Sequence, residues 1–299
     1  MKRLIDSVLG WSRLNLYVWL SLVSQILIVV TGGVVRLTGS GLGCPTWPKC
    51  TQESLVTVQA MGIHGLIEFT NRMLTFLLLV IAVLTLLTVL KNKAGATGLA
   101  LRSPAVILLL GIPAQAVLGG FTVLTKLNPW FVGAHFMLSA VMIATASLLV
   151  FRKYKVSPVA VSPALYNLAT PLLVIGWIAV IAGVLVTGAG PHAGDAMSVR
   201  NGLDLEVWQH YHSYPAYLTL ALAILQLVSY IRRDGSIRAT WQSKVAGLLV
   251  GALIVQAVVG VAQARLGVPA VLVGLHMLGA TIILALLSFQ WLLIRGKTR

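Results

Sequence analysis

The chain has 299 residues, of which 58% are hydrophobic and only 10% charged, and its mean hydropathy is +0.92. A soluble domain carries about 25% charged residues, so this composition excludes one and leaves an integral membrane protein. The net charge of +15 raises the possibility of nucleic acid as a partner, but the placement of the basic residues argues against it.

Apolar runs long enough to cross a bilayer, about 20 residues each, recur over 15–36, 63–90, 104–124, 131–151, 166–187, 207–230, 245–265 and 270–294. Segments of this length in hydrocarbon must satisfy their own backbone groups, so they are helices. The predicted fold is all-α, with eight transmembrane helices. Sixteen of the 22 basic residues lie before the first span, after the last, or between even and odd spans, as in Lys91, Lys93 and Arg102 or Arg232, Arg233, Arg238 and Lys244. This is the positive-inside bias. It places both termini in the cytoplasm and turns the loops 37–62, 125–130, 188–206 and 266–269 outward. The basic start leads into a retained first helix rather than a cleaved signal. The expected location is the cell (plasma) membrane, with lipid as the surrounding partner and no nucleic acid.

The first outer loop holds the chain's two cysteines, Cys44 and Cys50. An oxidising exterior makes a disulfide the natural reading, with a structural clip and a redox role both open. The second span carries His64, Glu68 and Arg72, spaced four apart and therefore on one helix face. Glu68 is the sole carboxylate within any predicted span. Two readings stand: an ion pair with Arg72, or a proton or cation handler beside His64. The fourth span carries His135.

The second half repeats the first. The division falls near residue 160, in the polar stretch 153–158, and predicts a 1–160 half and a 161–299 half with four spans each. Gln115-Ala116-Val117-Leu118-Gly119 in span 3 recurs as Gln256-Ala257-Val258-Val259-Gly260 in span 7. Gly133-Ala134-His135 in span 4 recurs as Gly274-Leu275-His276 in span 8. Four spans return the chain to its starting side, so the expectation is two parallel-repeat four-helix bundles about a pseudo-twofold axis along the membrane normal.

His64, His135, His212 and His276 thus form two repeated pairs near the outer ends of spans. Ionisable groups inside a membrane are expensive and usually functional. Two imidazoles can ligate a haem iron, so these four are the candidate metal ligands. His210 competes with His212, while His192 falls in an outer loop and is expected to be solvated. The counterpart of Glu68 in the second half is Ala216, so the extra chemistry lies in the first. Arg36, Lys126, Arg200 and Arg265 lie near outer ends, where they can bind haem propionates or snorkel to headgroups. Trp47 and Trp130 read as interfacial anchors.

Together these residues resemble the haem A synthase family, over essentially the whole chain. The most specific segment is Arg36-Leu37-Thr38-Gly39-Ser40-Gly41-Leu42-Gly43-Cys44-Pro45-Thr46-Trp47-Pro48-Lys49-Cys50. Ile67-Glu68-Phe69-Thr70-Asn71-Arg72, Asn128-Pro129-Trp130, Pro191-His192-Ala193-Gly194-Asp195 and the segment around His276 support it, and the pattern looks most like the actinobacterial branch. The resemblance implies an oxidoreductase that takes a ring methyl of haem O to a formyl group by successive hydroxylations, giving haem A for an aa3-type cytochrome oxidase. It implies a haem b cofactor on His212 and His276, and haem O handled by His64, His135 and the catalytic Glu68. It further implies a haem O synthase and an electron donor as partners. Many members carry Glu-x-x-His-Arg in span 2, where this chain has Asn71 at the histidine position, so the first-half ligand stays open between His64 and a residue near Asn71. Some members have a second cysteine pair in the third outer loop, and residues 188–206 contain none. Two other classes compete. A b561-like electron-transfer cytochrome explains the histidine pairs but not Glu68 or the external cysteines. A transporter built from repeats needs no haem.

Overall fold

The computed structural model describes residues 8–92, 96–154, 161–233 and 240–295. These form eight helices long and apolar enough to cross a membrane: α1 (Leu14–Leu37), α2 (Gly62–Lys91), α3 (Ala96–Leu124), α4 (Pro129–Tyr154), α5 (Pro163–Ala189), α6 (Leu205–Arg233), α7 (Trp241–Arg265) and α8 (Ala270–Arg295). Each predicted span coincides with one helix. The helices overrun the predicted ends where the chain leaves the apolar zone but keeps its helical hydrogen bonds. Thus α3 starts at Ala96 and takes in Pro104.

The start of α6 corrects one expectation. Asp204 caps it, its Oδ1 accepting from the Val207 N–H at 2.9 Å, so Glu206 falls in the first helical turn. Glu68 is therefore not the sole carboxylate on a spanning helix. Glu206 is exposed at a helix N-terminus, where the dipole favours negative charge. Among the described residues Glu68 remains the buried one.

The chain divides into two compact units. One comprises Met1–Lys153 with Thr187–Leu203, the other Tyr154–Val186 with Asp204–Arg299. The division point expected near 160, and the basic residues Lys2, Arg3, Lys93, Lys155, Arg238, Lys297 and Arg299, lie outside the described residues.

In the first unit α1 packs on α2 and α2 on α3. Ser21 and Thr85 hydroxyls meet at 3.2 Å between α1 and α2. Gln115 of α3 donates to the Ser139 hydroxyl of α4 at 2.6 Å, and Met142 packs against Gly111. In the second unit Leu172 of α5, Ala223 of α6, Leu249 of α7 and Leu287 of α8 share one core. Leu165, Tyr230, Ala246 and Ile294 form a further layer.

Outward-facing side chains stay apolar. Phe76, Leu110, Val258 and Val271 are 61, 64, 65 and 75% exposed, a pattern that suits hydrocarbon around the helices rather than water. Because lipid removes the hydrophobic drive between helices, close packing rests on small residues and polar pairs.

The C-terminal end of α1 carries a Schellman cap. Gly39 takes φ 67°, its N–H bonds to the Arg36 carbonyl at 3.2 Å, and the Ser40 N–H bonds to the Val35 carbonyl at 2.9 Å. A glycine suits this left-handed position. The cap reverses the chain and buries Ser40 completely.

Candidate functional site

The second unit holds the simpler arrangement. His212 of α6 and His276 of α8 face one another with ring centroids 6.1 Å apart and planes at 73°. His212 Nδ1 lies 2.8 Å from the Ala179 carbonyl of α5. A carbonyl can only accept, so Nδ1 carries the proton and the Nε2 lone pair is left for another partner. Histidines that ligate metals are commonly oriented by such a bond. His276 is fixed through its backbone: Gln256 of α7 donates to its carbonyl at 2.9 Å. Its own Nδ1 is buried without a partner. His210, two residues from His212, is exposed.

Glycines face these rings. A Cβ added to Gly183 would lie 3.1 Å from Cε1 of His212, and one added to Gly260 would lie 3.1 Å from Cε1 of His276. The missing side chains let both imidazoles lie close against neighbouring helices.

Among the described residues no group of three or more His, Cys, Asp or Glu could hold a metal ion. The pair is therefore no cage for a bare ion. It does suit a metal whose remaining ligands come from a macrocycle. Two metal–imidazole bonds of about 2 Å each, with roughly 1 Å more from nitrogen to ring centre, separate centroids by about 6 Å, close to the spacing here. Haem iron takes such axial histidines, so the residues present fit a haem.

The first unit repeats part of this scheme. Gln115 of α3 donates to the His135 carbonyl at 3.2 Å. A Cβ on Gly119 would lie 3.2 Å from Cε1 of His135. His135 Nδ1 is buried and without a partner. His64, near the start of α2, differs. Its Nδ1 meets the Ser40 hydroxyl at 2.9 Å, and Ser40 in turn meets Thr38 Oγ1 at 2.8 Å. A hydroxyl can donate or accept, so either His64 tautomer is available. Among the described residues His64 and His135 do not form the direct ring pairing of His212 and His276. Asn71, two turns along α2, faces Gly32 of α1, and its Oδ1 is buried without a partner.

Glu68 and Arg72 tie the loop that follows α1 to α2. Arg72 Nη2 lies 2.5 Å from Glu68 Oε1, and Glu68 Oε2 accepts from the Cys44 N–H at 2.6 Å. The guanidinium also donates to the carbonyls of Cys44, Thr46 and Lys49 at 2.9, 3.1 and 3.2 Å. Cys44 and Cys50 are joined in a disulfide and fully buried. The loop lies so close to α2 that a Cβ on Gly43 would collide with the His64 carbonyl. Trp47 packs its indole on Gly120 of α3 and stays 37% exposed. Trp130 is 58% exposed at the start of α4.

Of the outer basic residues, Lys126 and Arg265 are exposed, while Arg36 turns inward and donates to the Thr187 carbonyl at 2.6 Å. His192 is half-buried and has a partner, not the solvated residue expected.

Gly183 has no sequence mark at all, while Gly119, Gly260 and the two glutamines behind the rings stand out in the sequence only as marks of a repeat. Their fixed spacing, Gln-x-x-x-Gly ahead of each Gly-x-His, was the available signal. The bond from His212 to Ala179 left no signal, because any residue supplies a carbonyl.

Known proteins resemble this chain along most of its length. Residues 15–288 match the COX15-CtaA family, described as cytochrome oxidase assembly protein. The chain is similar to Heme A synthase of Listeria welshimeri serovar 6b, with 28% identity over 93% of this chain and 95% of that protein. It is similar to Heme A synthase of Staphylococcus epidermidis, with 23% identity over 94% of this chain and 96% of that one. A stretch of 64 residues is 45% identical to part of Protoheme IX farnesyltransferase of Thermus thermophilus, covering 21% of this chain and 10% of that protein.

Proposed function

As the chain belongs to the COX15-CtaA family of cytochrome oxidase assembly proteins, we propose that it is a haem A synthase of the cell membrane, an oxidoreductase that converts the ring methyl of haem O to a formyl group by successive hydroxylations. The observation that carries this reading is the opposed His212 and His276 pair, with His212 oriented by a carbonyl so that Nε2 is free to bind.

On this reading His212 and His276 hold haem b in the second unit. Bound there, haem b supplies an electron relay, chemistry that no side chain provides. His64 and His135 hold haem O in the first unit, with Ser40 orienting His64. Glu68 is the proton-handling carboxylate of that site, one turn from His64, and Arg72 neutralises it. Both Glu68 oxygens are engaged, so the external loop sets the position of this group. The Cys44–Cys50 loop lies against α2 where Glu68 is buried.

The shared Gln-x-x-x-Gly and Gly-x-His elements support two parallel repeats of four helices, and the basic loops support cytoplasmic termini. The motif pattern supports the actinobacterial branch. A haem O synthase supplies the substrate, an aa3-type oxidase receives the product, and a membrane electron donor completes the cycle. The local similarity to a farnesyltransferase is consistent with neighbouring steps.

Haem extraction and chromatography, after expression with and without a haem O source, tests the reading. Haem A should appear only when haem O is supplied. Haem b without any haem A would leave an electron-transfer cytochrome, and a protein with no haem absorbance would point to the transporter class.

A further inference from the structure

We infer that Arg36 and Arg200 form a carboxylate seat at the outer end of the first unit, and that it takes a propionate of the haem bound there. The inference rests on the reading of this unit as the haem O site.

The two arginines are 164 positions apart in sequence, yet both belong to the first unit, since Thr187–Leu203 folds with it. Arg36 ends α1, in the same cap that presents Ser40 to His64. The 190–203 segment lies over it. The Gly41 N–H bonds to the Gly194 carbonyl at 2.8 Å and the Asn201 N–H to the Gly188 carbonyl at 3.1 Å. These bonds bring Arg200 within electrostatic range of Arg36.

Among the described residues neither cation has an anionic partner. Arg36 donates to the Thr187 carbonyl, and its Nε is buried with no partner. Arg200 donates to the carbonyls of Ser198 and Pro191 at 2.9 and 2.6 Å. Among the described residues the one ion pair is Glu68 with Arg72. Two like charges close together, one with a buried and unused donor, are unfavourable unless an anion joins them. An unpaired buried donor alone costs about 1–3 kcal/mol.

A carboxylate matches the planar guanidinium fork better than a spherical ion does. A haem held by His64 would lie beneath this cap, with its apolar rim and farnesyl tail suited to lipid. The carboxylates of such a molecule are its two propionates, at one edge of the ring. Lys126 and Arg265 are exposed and have no comparable burial.

The test is an absorbance titration of the purified full-length protein, already carrying haem b, with haem O and with haem O dimethyl ester. The free acid should bind about tenfold more tightly than the ester. Arg36→Gln and Arg200→Gln should each weaken the free acid by about that factor and leave the ester unchanged. Equal affinity for acid and ester in the unaltered protein overturns the inference, and that comparison needs no variant to fold. Variants that keep the acid preference, or that lose acid and ester equally with haem b retained, also overturn it. If haem O binds and His64→Ala abolishes binding, the site reading stands whatever the arginines do. If haem O does not bind at all, the site reading and this inference fail together.

Discussion

Glu68 and Arg72, one turn apart on α2, grip the loop that follows α1 between them. Glu68 takes the Cys44 N–H, and Arg72 takes the Cys44 carbonyl on the other side. The ion pair is thus the hinge between a spanning helix and a buried disulfide. Removing one partner of such a pair costs about 3–5 kcal/mol, because the other charge stays buried alone.

That geometry separates two roles for Glu68. Glu68→Gln keeps a side-chain acceptor for Cys44 and removes the base. It should leave haem b in the second unit intact and stop haem A formation, with a hydroxylated intermediate accumulating. Arg72→Gln loosens the loop but keeps the carboxylate, and should retain part of the activity. Haem analysis of membranes carrying each variant decides. Equal loss in both would reduce Glu68 to a holder of the loop, and normal haem A yield from Glu68→Gln at normal protein level would remove it from the reaction.

Replacing His212 or His276 with Ala should abolish the haem b signal in reduced-minus-oxidised spectra, since one axial imidazole alone remains. His210→Ala should leave the spectrum unchanged, because the ring that faces His276 is that of His212. An unchanged spectrum in both the His212 and His276 variants would reject the ligand assignment.

The glycines offer a test of packing around the rings. Gly260→Val places atoms against His276, where even a Cβ would stand 3.1 Å from Cε1, whereas Gly251 on the same helix faces open space. Gly260→Val should therefore lower haem b content severalfold and Gly251→Ala should not. Overpacking of this kind costs about 1–3 kcal/mol. Equal haem content in the two variants would show that the ring has room to move.

Thiol labelling of the native protein without reductant should modify neither Cys44 nor Cys50, and quantitative labelling of both would contradict the disulfide. The Cys44→Ser, Cys50→Ser double variant should be less stable by about 2 kcal/mol or more, read as a lower thermal midpoint. Trp47 fluorescence should change with it, because the loop no longer seats the indole on Gly120.

Ser40→Ala should leave His64 in place but unoriented. The expected result is weaker or spectrally altered haem O binding in the first unit, with haem b unaffected. An identical haem O spectrum and affinity would show that Ser40 does not orient the ring.

The sequence by itself determined the eight spans, because hydrocarbon thickness imposes a length and a composition that sum locally along the chain. Through repeated spacing it also marked four candidate histidines, of which His212 and His276 meet ring to ring, and it made the Glu68–Arg72 contact legible because residues four apart meet on any helix. Its account ended where partners come from distant segments. The second oxygen of Glu68 goes to the Cys44 backbone, His212 to a carbonyl of α5, and Arg200 to the first unit although it follows α5 in the chain. Backbone groups are alike at every position, so no residue type announces such bonds. The extent of α6, with Glu206 inside its first turn, was likewise hidden, because a cap at Asp204 is decided by hydrogen bonding beyond the apolar run. Only the tertiary structure decided how each helix is rotated about its axis and which loop folds over which site, since apolar faces in lipid leave rotation to the few small and polar residues that meet between helices.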